Sequence, residues 1–343
     1  MRWGRNSFKW VRPLHHIVAV FDKEKLEGHL NLGDDILEYA NMTKGHRFLA
    51  SQPFEVESFF DYKEKLRKAF VMIDREERKS IIMERAQNLA TAKGIELKSD
   101  PSLLEEVCGL IEWPNPLIGN IQNEFMTVPP EALVSAMRSH QKYFALTKKD
   151  GELAPNFITI SNMSPNAERD KTTVSGNERV LSARLSDAKF FWDQDRSVKL
   201  SSRIPALETI KFYDKLGTVG EKMVRVETLG VYLSQWVQGV DPQSLKRATQ
   251  LSKADLTTSM VGEFPELQGI MGSYFAHHDQ EAEEVCIAIK EHYSPQGPSD
   301  FVQNSLERSF IVSRQIRYAG RFFSLLTKNL PDLKIHLLFA DMP

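Results

Sequence analysis

Between Asp61 and Lys93 apolar residues recur among dense charges, at Leu66, Phe70, Ile73, Ile81 and Ile82. That pattern predicts amphipathic helices with solvated outer faces. Asp74, three residues before Glu77, predicts the start of a second helix through a box-like cap. Lys98-Ser99-Asp100-Pro101 is a further start signal, for a helix to about Glu112, which Trp113-Pro114-Asn115-Pro116 then breaks. Pro129-Pro130-Glu131 opens a helix predicted to reach about His140. Upstream, Ile17–Phe21 is short, β-branched and bounded by Pro13 and Asp22, and predicts a buried strand. Gly45 reads as a turn entering another strand at His46-Arg47-Phe48. Tyr143–Thr147 and Asn156–Ser161, joined by the polar turn Lys149-Asp150-Gly151, predict a hairpin-like pair.

From Gly176 onward the pattern is helical. Val180, Ala183, Leu185, Ala188 and Phe191 form a predicted apolar stripe, and helices follow at about 219–238, 243–260 and 280–291. A mixed first part and an all-helical second part make the fold class α+β, with a boundary near 170–200. No internal repeat or low-complexity segment interrupts either part.

Composition narrows the field only slightly. A chain of 343 residues suits about two domains, with 41% hydrophobic and 26% charged residues. A formal net charge of −2 gives no global pull toward nucleic acid, so any RNA surface must be a local basic patch. Two distant cysteines, Cys108 and Cys286, exclude a cysteine-based zinc site and suit a reducing compartment as buried free thiols. Ile17–Phe21 is too short for a secretory apolar core, and no segment has the roughly 20 apolar residues of a membrane-spanning helix. No phosphate-cradling G-x-x-x-x-G-K-[ST] loop occurs.

Several strings stand out. Lys253–Gly272 reads KADLTTSMVGEFPELQGIMG. Met1–Gly4 reads MRWG, with Arg12-Pro13 after it, and Gly45–Phe48 reads GHRF. Met137–Phe144 reads MRSHQKYF, and Gly176–Leu185 reads GNERVLSARL. In this order they resemble motifs of the β subunit of the bacterial two-subunit glycyl-tRNA synthetase. The resemblance implies an α/β domain over 1–190, similar to the editing-region fold of phenylalanyl-tRNA synthetase. It implies a degenerate HD-type all-helical domain over 191–302. It also implies partners: a separate α subunit, in a heterotetramer of two α and two β, and tRNA(Gly), with neither DNA nor membrane involved and a cytoplasmic location. ATP and Mg would be used by the α subunit, this chain binding no cofactor and holding no catalytic residue. The absence of HIGH and KMSKS strings agrees with that division of labour.

The resemblance and the charges together nominate His46, Arg47, Arg138, His140, Lys142, Tyr143 and Arg179 as tRNA contacts. Basic side chains hold phosphates and aromatic rings stack unpaired bases. Each has a structural alternative. His46 can fix a turn; Arg138, His140 and Lys142 suit the negative end of a helix; Arg184 faces Asp187 as an expected ion pair beside Arg179. Glu263 and Glu266 flank Pro265 and suit a helix start. His277-His278-Asp279 invites a second class, a metal-dependent HD phosphohydrolase. That chemistry needs an upstream histidine, and none lies between His140 and His277. A third reading is a non-functional gene product.

The family's MRWG segment lies inside its chain, whereas here its Met is residue 1, so a fragment is expected. Residues 303–343 resemble nothing in the family as written. Codons allowed for Thr327 to Ala340, regrouped by one base, permit E-K-P-T-G-S-K-D-P, then F or L, then A-L-R-R, which resembles a family motif. A one-base frameshift near Val302 is therefore expected, leaving apolar Phe322, Phe323, Leu325 and Leu326 exposed or loosely collapsed.

Overall fold

A computed structural model describes residues 9–11, 14–33, 35–214, 216–235 and 240–294. The MRWG segment, Arg12-Pro13, the end of the helix expected to reach 238, and the tail from 303 lie outside them. The described residues form two compact units. The first holds those through Met126 and from Met137 to Ala183; the second holds those from Thr127 to Ala136 and from Arg184 onward.

In the first unit a four-stranded antiparallel sheet carries the core. Its order is Glu96–Leu97, Phe144–Thr147, Leu153–Ser161, Asn115–Asn120. Helices α1 (Phe59–Lys68), α2 (Arg75–Ala92) and α3 (Pro101–Leu110) precede and interleave with it. The expected caps form: the Asp74 carboxylate accepts from the amides of Glu76 and Glu77, and that of Asp100 from the amide of Leu103. Ile82, Ala86 and Ala90 of α2 and Leu103, Val107 and Cys108 of α3 meet Phe144, Leu146, Ala154 and Ile158 of the sheet in one buried cluster. On Asn115–Asn120, a Cβ on Gly119 would lie 2.4 Å from the Phe157 ring, so only glycine lets that ring cross the strand.

Two expectations for this unit are corrected. Ile17–Phe21 is not one buried strand. It splits into Ile17–Val18 and Val20–Phe21, half-buried at best, with Phe21 73% exposed. Asp22 and Lys23, both at positive φ, turn Val20–Phe21 straight back on Glu24–Lys25 in a two-residue hairpin. His46-Arg47-Phe48 is a turn, not a strand. The helix before Trp113-Pro114-Asn115-Pro116 does end, at Leu110. The strand Asn115–Asn120 that follows is not among the expected elements; it lies at the sheet edge, where Pro116 costs no ladder bond to an outer neighbour.

The helix opening at Pro130 stays α-helical only through Ala136, as α4 (Pro130–Ala136), then widens to a π turn over Met137–Gln141. Lys142 at φ 58° ends it, and the Tyr143 amide donates to the Met137 carbonyl. Helix α5 (Ala167–Arg196) starts well before Gly176. Its buried positions are Leu181, Leu185, Ala188, Trp192 and Asp195. Of the expected stripe, Leu185 and Ala188 are buried and Phe191 is half-buried, whereas Val180 is 48% exposed and Ala183 is exposed. No ion pair joins Arg184 to Asp187 among the described residues.

The second unit continues with α6 (Val219–Ser234), α7 (Pro242–Leu251), α8 (Ser259–Glu263), α9 (Ile270–His278) and α10 (Glu283–Glu291). Thr218 and Glu221 close a reciprocal capping box on α6. Leu245, Leu251, Met260, Met271, Phe275 and Ile289 are buried in its core. The helix expected over 243–260 is interrupted after Leu251 by a 3-10 turn, Ala254–Thr257. Asp195 explains the restart. Its carboxylate is 2% exposed, accepts from the amides of Ser259 (3.1 Å) and Met260 (2.8 Å), and pairs with Arg203 at 3.0 Å. An acid at the N-terminus of a short helix satisfies donors that the helix itself leaves unpaired.

Candidate functional site

Within the first unit the GHRF turn borders a cleft of about 520 Å³, lined by His46, Arg47, Phe48, Arg78, Glu112 and Asn162 among others. Gly45 is required here: a Cβ would lie 2.3 Å from the Ala69 side chain. The His46 amide donates to the Ala69 carbonyl at 2.8 Å, which starts the turn against the end of α1. His46 then fixes the rest. Its ring is 1% exposed; Nδ1 accepts from the amides of Phe48 and Leu49 at 3.3 Å, so Nε2 carries the proton and donates to the Asn162 carbonyl at 2.8 Å. Asn162 in turn accepts, through Oδ1, from the amides of Glu112 (2.9 Å) and Trp113 (2.8 Å). Arg78 donates to the carbonyls of Met72 and Cys108. The walls are thus tied together by polar groups that are already satisfied.

This wiring decides what His46 can do. Both ring nitrogens are committed inside the protein, so the histidine has none to offer a phosphate or base. What it presents instead is the pair beside it. Arg47 is exposed, its guanidinium lies 5.5 Å from the centroid of the Phe48 ring, and Phe48 is 73% exposed. Arg47 has no acidic partner among the described residues. A cation held beside an open ring is the combination that contacts a phosphate and stacks a base.

The other nominated residues do not converge on this cleft. Arg138 pairs with Asp100 at 2.6 Å, and Lys142 with Glu106 at 2.8 Å, so each cation is offset by an acid of α3 or its cap. His140 and Arg179 are exposed. Tyr143 is 4% exposed, stacks on Phe157 with centroids 4.6 Å apart, and donates to Asn177 Oδ1 at 2.7 Å. Burial pushes its phenol up to about 12, so it is a neutral core group, not a stacking platform for RNA.

In the second unit the Lys253–Gly272 signature closes on itself. The fully buried Asp255 accepts, through Oδ2, from the amides of Gly269 (2.5 Å) and Gly272 (3.1 Å). Glu266, in the 3-10 turn Pro265–Leu267, receives the Ser135 hydroxyl, and Glu131 receives that of Tyr274 at 2.9 Å. His277 and His278 end α9; their side chains are 73% and 47% exposed, while the Asp279 carboxylate accepts from the Leu200 amide at 2.6 Å. No cluster of three or more His, Cys, Asp or Glu among the described residues is arranged to hold a metal ion. No helix among them is long and apolar enough to cross a membrane. The sequence did not single out Asn162 or Asp195, whose amide partners lie far along the chain; Asp255 stands inside the signature, but its role as acceptor for Gly269 and Gly272 emerges only in the fold.

Comparison with known proteins places these features. The family model described as glycyl-tRNA synthetase beta subunit matches residues 1–315. The glycine–tRNA ligase beta subunit of Rhodospirillum centenum is 48% identical over an alignment 325 positions long that spans 88% of this chain and 45% of that protein. Those of Phenylobacterium zucineum and Paracoccus denitrificans are 44% and 42% identical, covering 87% and 89% of this chain and 44% and 45% of theirs. The chain therefore spans about half the length of the curated relatives it matches.

Proposed function

Because this chain belongs to the glycyl-tRNA synthetase beta subunit family, we propose that it holds tRNA(Gly) for a separate α subunit that makes glycyl-tRNA from ATP and glycine. The match over residues 1–315 carries this reading. The GHRF cleft supports it with a free guanidinium and an open aromatic ring on a rigid base. In this reading the chain itself is non-catalytic, ATP and Mg are handled by the α subunit, and the assembly is two α with two β in the cytoplasm. In the same reading residues 1–190 form an α/β domain like the phenylalanyl-tRNA synthetase editing region, and residues 191–302 a degenerate HD-type domain.

The test is tRNA(Gly) binding by the purified chain across a salt series, with and without α subunit. Binding that weakens with salt and strengthens with α subunit is expected, because phosphate contacts release counterions. Arg47→Ala should reduce the salt slope by about one ion, and Phe48→Ala should cost about 1–3 kcal/mol of affinity with the slope unchanged. A folded chain that binds no tRNA in either setting would sink the proposal. A finer element of it concerns the tail: the family match runs to residue 315, past the expected shift near Val302, so we read the one-base shift as falling after that residue; support comes from the codons permitted over Thr327–Ala340. A gene sequence unable to encode the motif in the neighbouring frame would refute that element alone.

A further inference from the structure

The second unit gathers polar groups that its own fold leaves unmatched. The Lys253 ammonium, only partly buried, lies 3.4 Å from the centroid of the Tyr293 ring, and the Lys222 ammonium 4.0 Å from that of Phe212. Neither has a carboxylate within ion-pair distance or a hydrogen-bond acceptor among the described residues. An aromatic face offsets only part of an ammonium's lost hydration. The two lysines are also near enough to repel. Lys253 is pushed down to about 7, first by burial and then by the charge of Lys222; burial and then Arg225 press Lys222 the same way.

Two acceptors beside them are equally unmatched. His292 is 6% exposed and its ring packs 4.0 Å from Tyr293. Its Nδ1 faces the Ile289 carbonyl at 2.6 Å and so carries the proton, which leaves Nε2 as a bare lone pair with no partner among the described residues. Asp255 uses Oδ2 on two glycine amides, but its buried Oδ1 has no partner among the described residues. Tyr293 ties the set together, since it touches Lys253 and His292 and crowds Gly269, the glycine that donates to Asp255. Buried polar groups are normally paired within the fold, as Asp195 and His46 are here. A cluster with spare cationic donors and spare neutral and anionic acceptors specifies a ligand that supplies both anionic oxygens and O–H donors.

We propose that this cluster binds a small phosphate-bearing ligand that also carries hydroxyl groups, its phosphate oxygens on Lys222 and Lys253 and its hydroxyls donating to His292 Nε2 and Asp255 Oδ1. The site is separate from the GHRF cleft and does not depend on the RNA reading of it. Sugar phosphates have this chemistry, and so does the phosphorylated end of an RNA strand. Calorimetric titration of the full chain with ribose 5-phosphate, ribose and inorganic phosphate tests it. Ribose 5-phosphate should bind saturably, phosphate more weakly, and ribose not measurably. Lys253→Met should weaken binding at least tenfold and Lys222→Met severalfold. Without ligand Lys253→Met should melt higher than the wild type, because it removes an ammonium that the fold does not satisfy. A short 5′-phosphorylated RNA that displaces ribose 5-phosphate supports the same chemistry with a strand end as its source; failure to displace it points to a free small molecule. The proposal is overturned if ribose 5-phosphate does not bind, or binds both variants as tightly as the wild type. It is also overturned if Lys253→Met lowers the ligand-free melting temperature, since Lys253 would then be a satisfied part of the fold.

Discussion

His46 in the first unit and His292 in the second are both almost fully buried, at 1% and 6% exposure, yet they are wired in opposite ways. His46 commits one nitrogen to two amides and the other to a carbonyl, so its region is complete without a ligand. His292 commits one nitrogen to its own helix and leaves the other bare, beside two ammonium groups and a carboxylate oxygen in the same condition. Burial alone therefore says little about the role of a polar residue. The balance of donors and acceptors around it separates a group that builds structure from one that awaits a partner.

The largest effect that would break this contrast is at His46. His46→Ala should destabilise the first unit by about 3 kcal/mol, measured by chemical denaturation, because it strands two amides and the Asn162 carbonyl at once. A loss below about 1 kcal/mol would show that the turn does not need its pin. A smaller effect sharpens the other side. Lys253 is held at about 7 against an ordinary 10.5, so the folded state sheds this proton before the unfolded chain does. Its burial therefore weakens the fold in full below pH 7, and that penalty shrinks as pH rises toward 10.5. Asp255, raised to about 6 from 3.8, runs the other way: its contribution is complete below 3.8 and lost as pH climbs through 6. Melting temperatures of wild type minus Lys253→Met should accordingly climb between about pH 7 and 9, and a flat difference would remove the case that Lys253 is poorly solvated. The smallest effect is at the cleft rim: Arg47→Ala should change stability by less than about 0.5 kcal/mol, since the side chain is exposed and has no acidic partner among the described residues.

Where signals are adjacent in sequence, they are legible. The caps at Asp74 and Asp100, and the hairpin of Phe144–Thr147 with Leu153–Ser161, each need only a few neighbouring residues. The predicted α5 stripe is right at Leu185 and Ala188 and wrong at its flanks, where Leu181 and Trp192, one turn to either side of that pair, are buried instead of Val180 and Phe191. Asn115–Asn120 is hidden by Pro114 and Pro116, which disfavour a strand everywhere except at an edge, and edge position is a property of topology. At the candidate site, residue type points to His46 and Arg47 together, and only the hydrogen bonds separate the pin from the contact. Reasoning from charge alone also fails at Arg138 and Lys142, whose neutralising acids sit on a neighbouring helix or its cap. Asp255 stands inside the Lys253–Gly272 string, yet nothing adjacent in sequence to it or to His292 marks the unpartnered atom of either.

The two cysteines offer a consequence of another kind. Cys108 is fully buried in the core of the first unit, with its thiol against the Arg75 carbonyl, and Cys286 is buried in the second, its thiol pushed up to about 11 by that burial. A thiol reagent reacts with the thiolate, so in the native state both should be nearly silent. Each becomes reactive only when its own unit opens. Labelling kinetics followed by peptide mass would then give two clocks in one tube, one for each unit, with no engineered residue and no dye.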